Sequence, residues 1–475
     1  MIIYNGGPNL SLEEVVLFPF DDYSLPFQRG VRLQLIPNKG DHIVVPFGPP
    51  GAPDSKGMSY YGAVCRVGDE LWMWYLGGGQ VCFAKSTDGY NWDRPSLGLI
   101  AHNGSTQNNL VDLGGAEYKV AACVVVYEPE DPDPGRRFKM VYETHRRNPS
   151  HGGRAEFNAA VSADGIRWTE VPVNPHYLSC EMGGFIKFNG CYYVSSQSGG
   201  GHFPRPERKL ETFVSYDFEN WVEADCMGLQ RGDIPPRPLV EGSHAGEQIH
   251  LGAGLWNRDN VIVGIYGQWH GHPTNDRQLV SMDLGLVVSN DALHYREPIP
   301  DFRIVPASEN SADRIFGALM QGQGFENING ETLFWYAPWG GCNGIRVAKW
   351  EQDRLGYFEA FLGMKMNSLQ ESHFVSAAID LEGKPAKVEI NVSGLSEYTD
   401  ISAEILTERF EAIPGFGRDD CTGPKESGLR QLVTWGNRDI LEGIDGNIRV
   451  RVNFGGIRPE DIKIHAIYVS DQASG

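Results

Sequence analysis

The chain is short of positive charge: 41 Lys and Arg stand against 61 Asp and Glu over 475 residues, for a formal net charge of −20. A surface of that sign repels phosphate backbones and anionic bilayers, which need a basic footprint, so nucleic acid and membrane are excluded as partners. No stretch approaches the ~20 apolar residues of a bilayer-spanning helix. The eight cysteines (Cys65, Cys82, Cys123, Cys180, Cys191, Cys226, Cys342 and Cys421) include no CxxC pair, which excludes a cysteine-rich zinc site. Several sit inside apolar runs, such as Ala63-Val64-Cys65, where a reduced thiol packs as a small hydrophobe. The opening MIIYNGGPNLSLEE has no basic segment and no long apolar one. A cytoplasmic location is therefore expected, with secretion the alternative for a chain that has lost a leader. No cofactor or metal is expected either. G-x-S-x-G is absent, Gly322-Gln323-Gly324 lacks a βαβ context, and His270-Gly271-His272 offers only two donors.

Glycine and aromatics are abundant: 58 Gly, with 11 Trp, 19 Tyr and 22 Phe. Together with 29 Pro they predict short strands, many turns and a large core. A repeat then organises the chain. Its copies run from Ser86-Thr87-Asp88 to Trp92, from Ser162-Ala163-Asp164 to Trp168, from Ser215-Tyr216-Asp217 to Trp221, and from Ser289-Asn290-Asp291 to Tyr295, with a degenerate fifth at Val347-Ala348-Lys349-Trp350-Glu351. The form S-x-D-x-x-x-(W/Y) reads as a hairpin corner: the Asp caps backbone N–H groups two residues on, a Gly supplies positive φ, and the aromatic packs between sheets. Strand-like runs such as RRFKMVYE and NVIVGIYGQWH precede the corners. Three or four strands per repeat predict an all-β chain with a five-bladed β-propeller, blades near 58–100, 118–170, 182–223, 247–297 and 316–358. Residues 1–57 are expected to join the propeller of 58–360. Alternating strands at Val388–Val392 and Ile448–Asn453 predict a C-terminal β-sandwich over 361–475.

A propeller's innermost strands line one tunnel, so acids that begin such strands are candidates for chemistry. Glu181 opens Cys180-Glu181-Met182-Gly183-Gly184, where the two glycines leave room for a close-approaching ligand. Glu247 opens EQIHLGAGLWNRDNVIVGIYGQWH, which also carries His250, Trp256, Arg258, Gln268, Trp269 and His270. Blade five adds Gln323 and Glu326, with Trp339 nearby; Asp54 introduces blade one, and Glu143 lies in blade two away from the start of its inner strand. Each of these residues has a plain alternative as a capped or salt-bridged strand end. Paired carboxylates suit glycoside cleavage: one donates a proton to the leaving oxygen while the other acts as nucleophile or base. Tryptophans such as Trp256, Trp269, Trp335 and Trp339 can stack on sugar faces.

Ser86-Thr87-Asp88-Gly89-Tyr90-Asn91-Trp92 with Pro95 to Leu99, then Trp256-Asn257-Arg258, Tyr266-Gly267-Gln268-Trp269-His270 and the tail around Pro414-Gly415-Phe416 and Val433-Thr434-Trp435, resemble bacterial proteins similar to glycoside hydrolases of families 32 and 43. The resemblance implies propeller plus sandwich, a carbohydrate substrate and three acids: a nucleophile or base, a pKa-tuning Asp and a Glu acid. Glu181 matches the position of the Glu acid. The family 32 motifs W-(M/L)-N-D-P-N-G and R-D-P are absent, so Asp54 is assigned by position, and Glu247 is the preferred partner of Glu181. The expectation is a hydrolase of a glycosidic bond, furanosides included. His250, Arg258, Gln268 and His270 would hold hydroxyls, and Trp256 and Trp269 would form the platform. The rivals are a glycoside phosphorylase, with His145-Arg146-Arg147 as its phosphate hint, and a non-catalytic sugar-binding propeller.

Overall fold

The computed structural model describes residues 1–475 except 39, 41, 115–118, 146–154, 176–179, 198–207, 232–245, 275, 308–316, 340–342, 362–371 and 473–475. Among the described residues the chain is all-β, with short 3-10 turns and no α-helix. It divides into two compact units: Met1–Ile36 with Arg258–Ile262 and Trp350–Gly475, and Pro37–Asn257 with Val263–Lys349.

The larger unit is a succession of five antiparallel meanders. Their leading strands are Met58–Val67, Lys119–Tyr127, Glu181–Phe188, Glu247–Asn257 and Leu319–Ile328. The second, third and fourth meanders are four-stranded sheets in sequence order. The fifth pairs in parallel with the first through Gln323 and Ala63, and Ile43–Pro46 pairs with Gly344–Glu351 as an added strand. Core glutamines stitch the leading strands together. Gln323 accepts from the Phe185 backbone N–H and donates to the Val125 carbonyl at 3.2 Å. Gln321 donates to the carbonyls of His250 at 2.7 Å and Gly252 at 2.8 Å.

The glycines after Glu181 answer to this packing. A Cβ at Gly183 would lie 1.9 Å from the Gly252 carbonyl oxygen, and one at Gly184 2.2 Å from that of Ala253. The room they make is taken by the neighbouring strand, which corrects the expectation of a ligand there. Gly183→Ala must push two backbones apart, and overpacking of this kind costs about 1–3 kcal/mol; a melting temperature equal to wild type would contradict it.

The corners form as read, with one addition. Ser86 Oγ accepts from the N–H of Gly89 at 2.9 Å, while Asp88 Oδ1 accepts from Tyr90 and Asn91, each at 2.8 Å. The same pattern recurs at Asp164, Asp217 and Asp291. Each indole then donates to the corner carbonyl, as Trp168 does to Gly165 at 3.1 Å. Burial pushes the Asp88 carboxyl up, but the N–H groups of Asn91 and Tyr90 outweigh it and hold it down at about 2. An unfolded Asp titrates near ~3.9. The corner's contribution is therefore complete above roughly pH 4 and is lost as pH falls toward 2. The melting-temperature gap between wild type and Asp88→Asn should be widest near neutral pH and close on acidification; a gap independent of pH would refute this.

The second unit contains two six-stranded sheets. One is built on Ile448–Gly456 and the other on Lys463–Asp471. A single hydrophobic cluster draws on both, with Val450, Val452 and Ile405 from the first and Val388, Ile390 and Val469 from the second. The N-terminal segment splits between the units. Ile2–Tyr4 pairs with Ala378–Asp380 and Glu14–Leu17 with Lys463–Asp471, so Met1–Ile36 belongs here, and only the residues from Pro37 to 57 join the meanders. Pairing across more than 370 positions leaves no local trace, which is why the sequence places all of 1–57 with the propeller. Trp350–Ala360 likewise belongs to this unit rather than to the last meander. Seven described cysteines are free, and Cys342 lies outside the described residues. No described helix is long and apolar enough to cross a membrane.

Candidate active site

The starting ends of the leading strands gather acids and aromatic side chains. Glu181 is the first residue of its strand and faces Gln197 across the hairpin. Gln197 donates to the Glu181 carboxylate through Nε2 and accepts the Leu251 N–H through Oε1 at 2.7 Å. That amide is available because Leu251 sits at φ 57°, a left-handed break in its strand, a conformation costing a non-glycine residue about 1–2 kcal/mol. One strained residue of the fourth meander thus orients the group that holds Glu181.

Glu143 lies near the end of Phe138–His145, opposite Ala122, on a strand antiparallel to its leading strand, so it reaches the same rim. It is buried, with 4% exposure. Burial, and then the neighbouring Glu181 charge, push its carboxyl up to about 8. Tyr61 from the first meander feels both acids. Burial and the charges of Glu181 and Glu143 hold its phenol far above the usual range, so it remains a donor.

Beside these lies an aromatic floor. His250 stacks on Trp269 at 5.6 Å and leans on Trp339 at 5.0 Å, with Tyr61 6.4 Å from His250. Arg208 lies 4.6 Å over Trp269 and Arg277 5.0 Å over Trp339. Trp269 is fully buried, so it supports Arg208 and offers no free face to a sugar. Trp339 is partly exposed.

Glu247 stands in a different network. Its Oε2 accepts from Arg231 at 2.9 Å and from His270 Nδ1 at 2.7 Å, and His270 Nε2 reaches Asp283 at 3.1 Å. Burial opposes a charge on His270, but the bonds to Asp283 and Glu247 outweigh it and raise its pKa. Glu247 is therefore tied to the Arg231 guanidinium and to His270, whereas Glu181 is the carboxylate that acts on Glu143.

Other sequence candidates lie elsewhere. Asp54 is buried and accepts from Tyr75 and from Arg94, both at 2.7 Å, which makes it an anchor for its loop. Gln268 is buried, and its amide donates to Tyr266 Oη, Glu297 and the Phe302 carbonyl at 3.2–3.3 Å. Trp256 stacks on Phe325 at 5.1 Å, and with Gln323 lines a cavity of about 300 Å³ at the far ends of all five leading strands. Glu326 pairs there with Arg66 at 3.2 Å. Arg258 belongs to the other unit, where it pairs with Asp353. Trp256 stands nine positions after Glu247, roughly 30 Å along an extended strand, so residues close in sequence stand at opposite ends. Arg146 and Arg147 lie outside the described residues. No group of three or more possible metal ligands occurs among the described residues.

Sequence reasoning named Glu143 but gave it no role, and passed over Tyr61, Arg208 and Arg277. Glu143 had a signal, as the acid closing the apolar run Met140-Val141-Tyr142. The arginines had none, because each stands in a connection between strands.

No family model and no curated protein matches the chain. Among solved structures it is similar to a glycosyl hydrolase from Bacteroides ovatus, at 14% identity and TM-score 0.45 over 68% of this chain and 95% of that one. It is also similar to a structure from work on the GH130 family of mannoside phosphorylases and its glycoside hydrolases that target β-1,2 mannosidic linkages in Candida mannan, at 14% identity and TM-score 0.42 over 69% and 94%. A thermostable family-43 glycoside hydrolase aligns at 12% identity and TM-score 0.36 over 64% and 91%.

Proposed function

We propose that the five meanders are blades of a five-bladed β-propeller, that the two six-stranded sheets form a β-sandwich, and that the propeller rim cleaves a glycosidic bond. The observation that carries the catalytic reading is the unequal acid pair. Glu143 is held protonated at neutral pH by burial and by Glu181, and such pairs separate acid and base roles. Glu143 donates its proton to the glycosidic oxygen as the C–O bond breaks. The Glu181 carboxylate, held by Gln197, serves the anomeric centre as nucleophile or as base for water. This reverses the role that the family resemblance assigns to Glu181. Gln197 and Tyr61 position the pair, and Trp339 is the exposed aromatic for a sugar face.

The test is a panel of aryl glycosides and oligosaccharides, furanosides included, assayed with wild type and Glu143→Gln, with and without phosphate. Turnover by wild type that collapses in a folded Glu143→Gln supports the reading. Equal turnover by both, or sugar binding without turnover by either, overturns it.

A further inference from the structure

Backbone register places Arg208 beside Glu181. Within the third meander Glu181 faces Gln197, Gln197 faces Leu210, and Arg208 stands two residues before Leu210 at the same end of the sheet. Its side chain crosses to the fourth meander, where the guanidinium lies 4.6 Å over the ring of Trp269. Trp269 is fully buried and His250 stacks on it at 5.6 Å, so the surface under Arg208 is fixed. Glu143 belongs to the second meander, whose leading strand packs on the other side of the third, so Glu181 stands between Glu143 and Arg208. Arg208 Nη1 is buried and has no hydrogen-bond partner among the described residues. An idle buried donor of this kind costs about 1–3 kcal/mol, more when charged. Burial works against the Arg208 charge, and the Glu181 carboxylate supports it. Packing on Trp269 alone needs no N–H group, so the idle donor answers to something that arrives.

We propose that Arg208 binds the glycone, the sugar unit whose anomeric carbon Glu181 serves, by donating from Nη1 to one of that unit's hydroxyl oxygens. This rests on the glycosidase reading above. In that reading Glu143 meets the leaving oxygen, so a donor on the far side of Glu181 reaches the glycone and not the leaving group. The ligand need bring a lone pair and not a charge, because Glu181 already supports the guanidinium; a sugar hydroxyl supplies that lone pair. Stacking on Trp269 pre-orients the planar guanidinium, so little rotamer freedom is lost as the bond forms.

The experiment measures kcat/KM of wild type, Arg208→Gln and Arg208→Lys on the aryl glycoside panel and on monodeoxy analogues of the glycone that turns over, with melting curves in the presence and absence of the free monosaccharide. Arg208→Gln should lose about 10- to 100-fold, by the same factor for every aryl leaving group, because the lost bond is to the glycone. The loss in Glu143→Gln should instead vary with the leaving group. One monodeoxy glycone should cost wild type a similar factor and cost Arg208→Gln nothing further, and Arg208→Lys should recover part of the loss. Without sugar, Arg208→Gln should melt no lower than wild type, and the rise in melting temperature that the monosaccharide gives wild type should shrink in it. A loss that varies with the leaving group, deoxy penalties equal in wild type and Arg208→Gln, an effect confined to acidic glycones or to added phosphate, or a lower melting temperature with sugar affinity intact overturns the proposal. Turnover retained in Glu143→Gln, or absent in wild type, defeats the glycosidase reading instead, and the melting shift with free monosaccharide still decides Arg208.

Discussion

Glu143→Gln should lower kcat/KM on unactivated glycosides by about 10²–10⁴-fold, the usual worth of a positioned general acid. Substrates whose aryl leaving group needs no proton should suffer much less, because the lost step is protonation of the leaving oxygen. In wild type, activity should fall as pH rises through about 8, where Glu143 gives up its proton. Glu181→Gln removes the charge that helps raise that value, so its residual activity should decline at lower pH. The substitution should act differently on stability. A carboxyl raised in the folded state contributes most below the unfolded value of ~4.3, and that contribution is lost as pH rises toward 8. Glu143→Gln should therefore be at least as stable as wild type in alkaline solution while being the less active protein, as expected where a site holds a strained group for function. Parallel loss of stability and activity at every pH would mean that Glu143 is a structural acid.

Asp353→Ala should destabilise the unit formed by Met1–Ile36, Arg258–Ile262 and Trp350–Gly475 by about 3–5 kcal/mol, the cost of leaving one partner of a buried ion pair alone. The Asp353 side chain is fully buried, and Arg258 meets it with both terminal nitrogens. Tyr468 donates to the same carboxylate at 2.7 Å, so truncation strands a guanidinium and a phenol together. Replacing both charges, as Arg258→Met with Asp353→Leu, should recover much of the loss, since well-packed apolar pairs often equal a buried ion pair. Urea unfolding followed through this unit reads both variants. A single variant within about 0.5 kcal/mol of wild type would show that water reaches the pair, which would then rank with exposed salt bridges.

Much was legible in the sequence where the bonds are local. The corner at Ser86–Trp92 closes within seven residues, every bond running between positions two or three apart, so its composition declares its geometry. The copies ending at Trp168, Trp221 and Tyr295 repeat it. Glu181 was legible because an acid that opens an apolar strand has only a rim to stand on. Glu247 matched the same rule and stands on the same rim, but Arg231, from the preceding meander, occupies it. Asp54 was similarly claimed by Arg94, forty positions away.

The sequence by itself determined an all-β chain, the repeating corner that sets where each sheet begins again, and one acid of the proposed pair, because strand alternation and turn chemistry act between near neighbours. Only the tertiary structure decided that Glu143 is the partner of Glu181, that Gly183 and Gly184 admit a strand, that Trp256 and Arg258 leave the rim that Glu247 begins, and that Arg208 and Arg277 converge on two tryptophans. Those outcomes rest on burial and on charges brought together from separate meanders, and such forces depend on distance in space, which the order of residues along an extended strand does not carry.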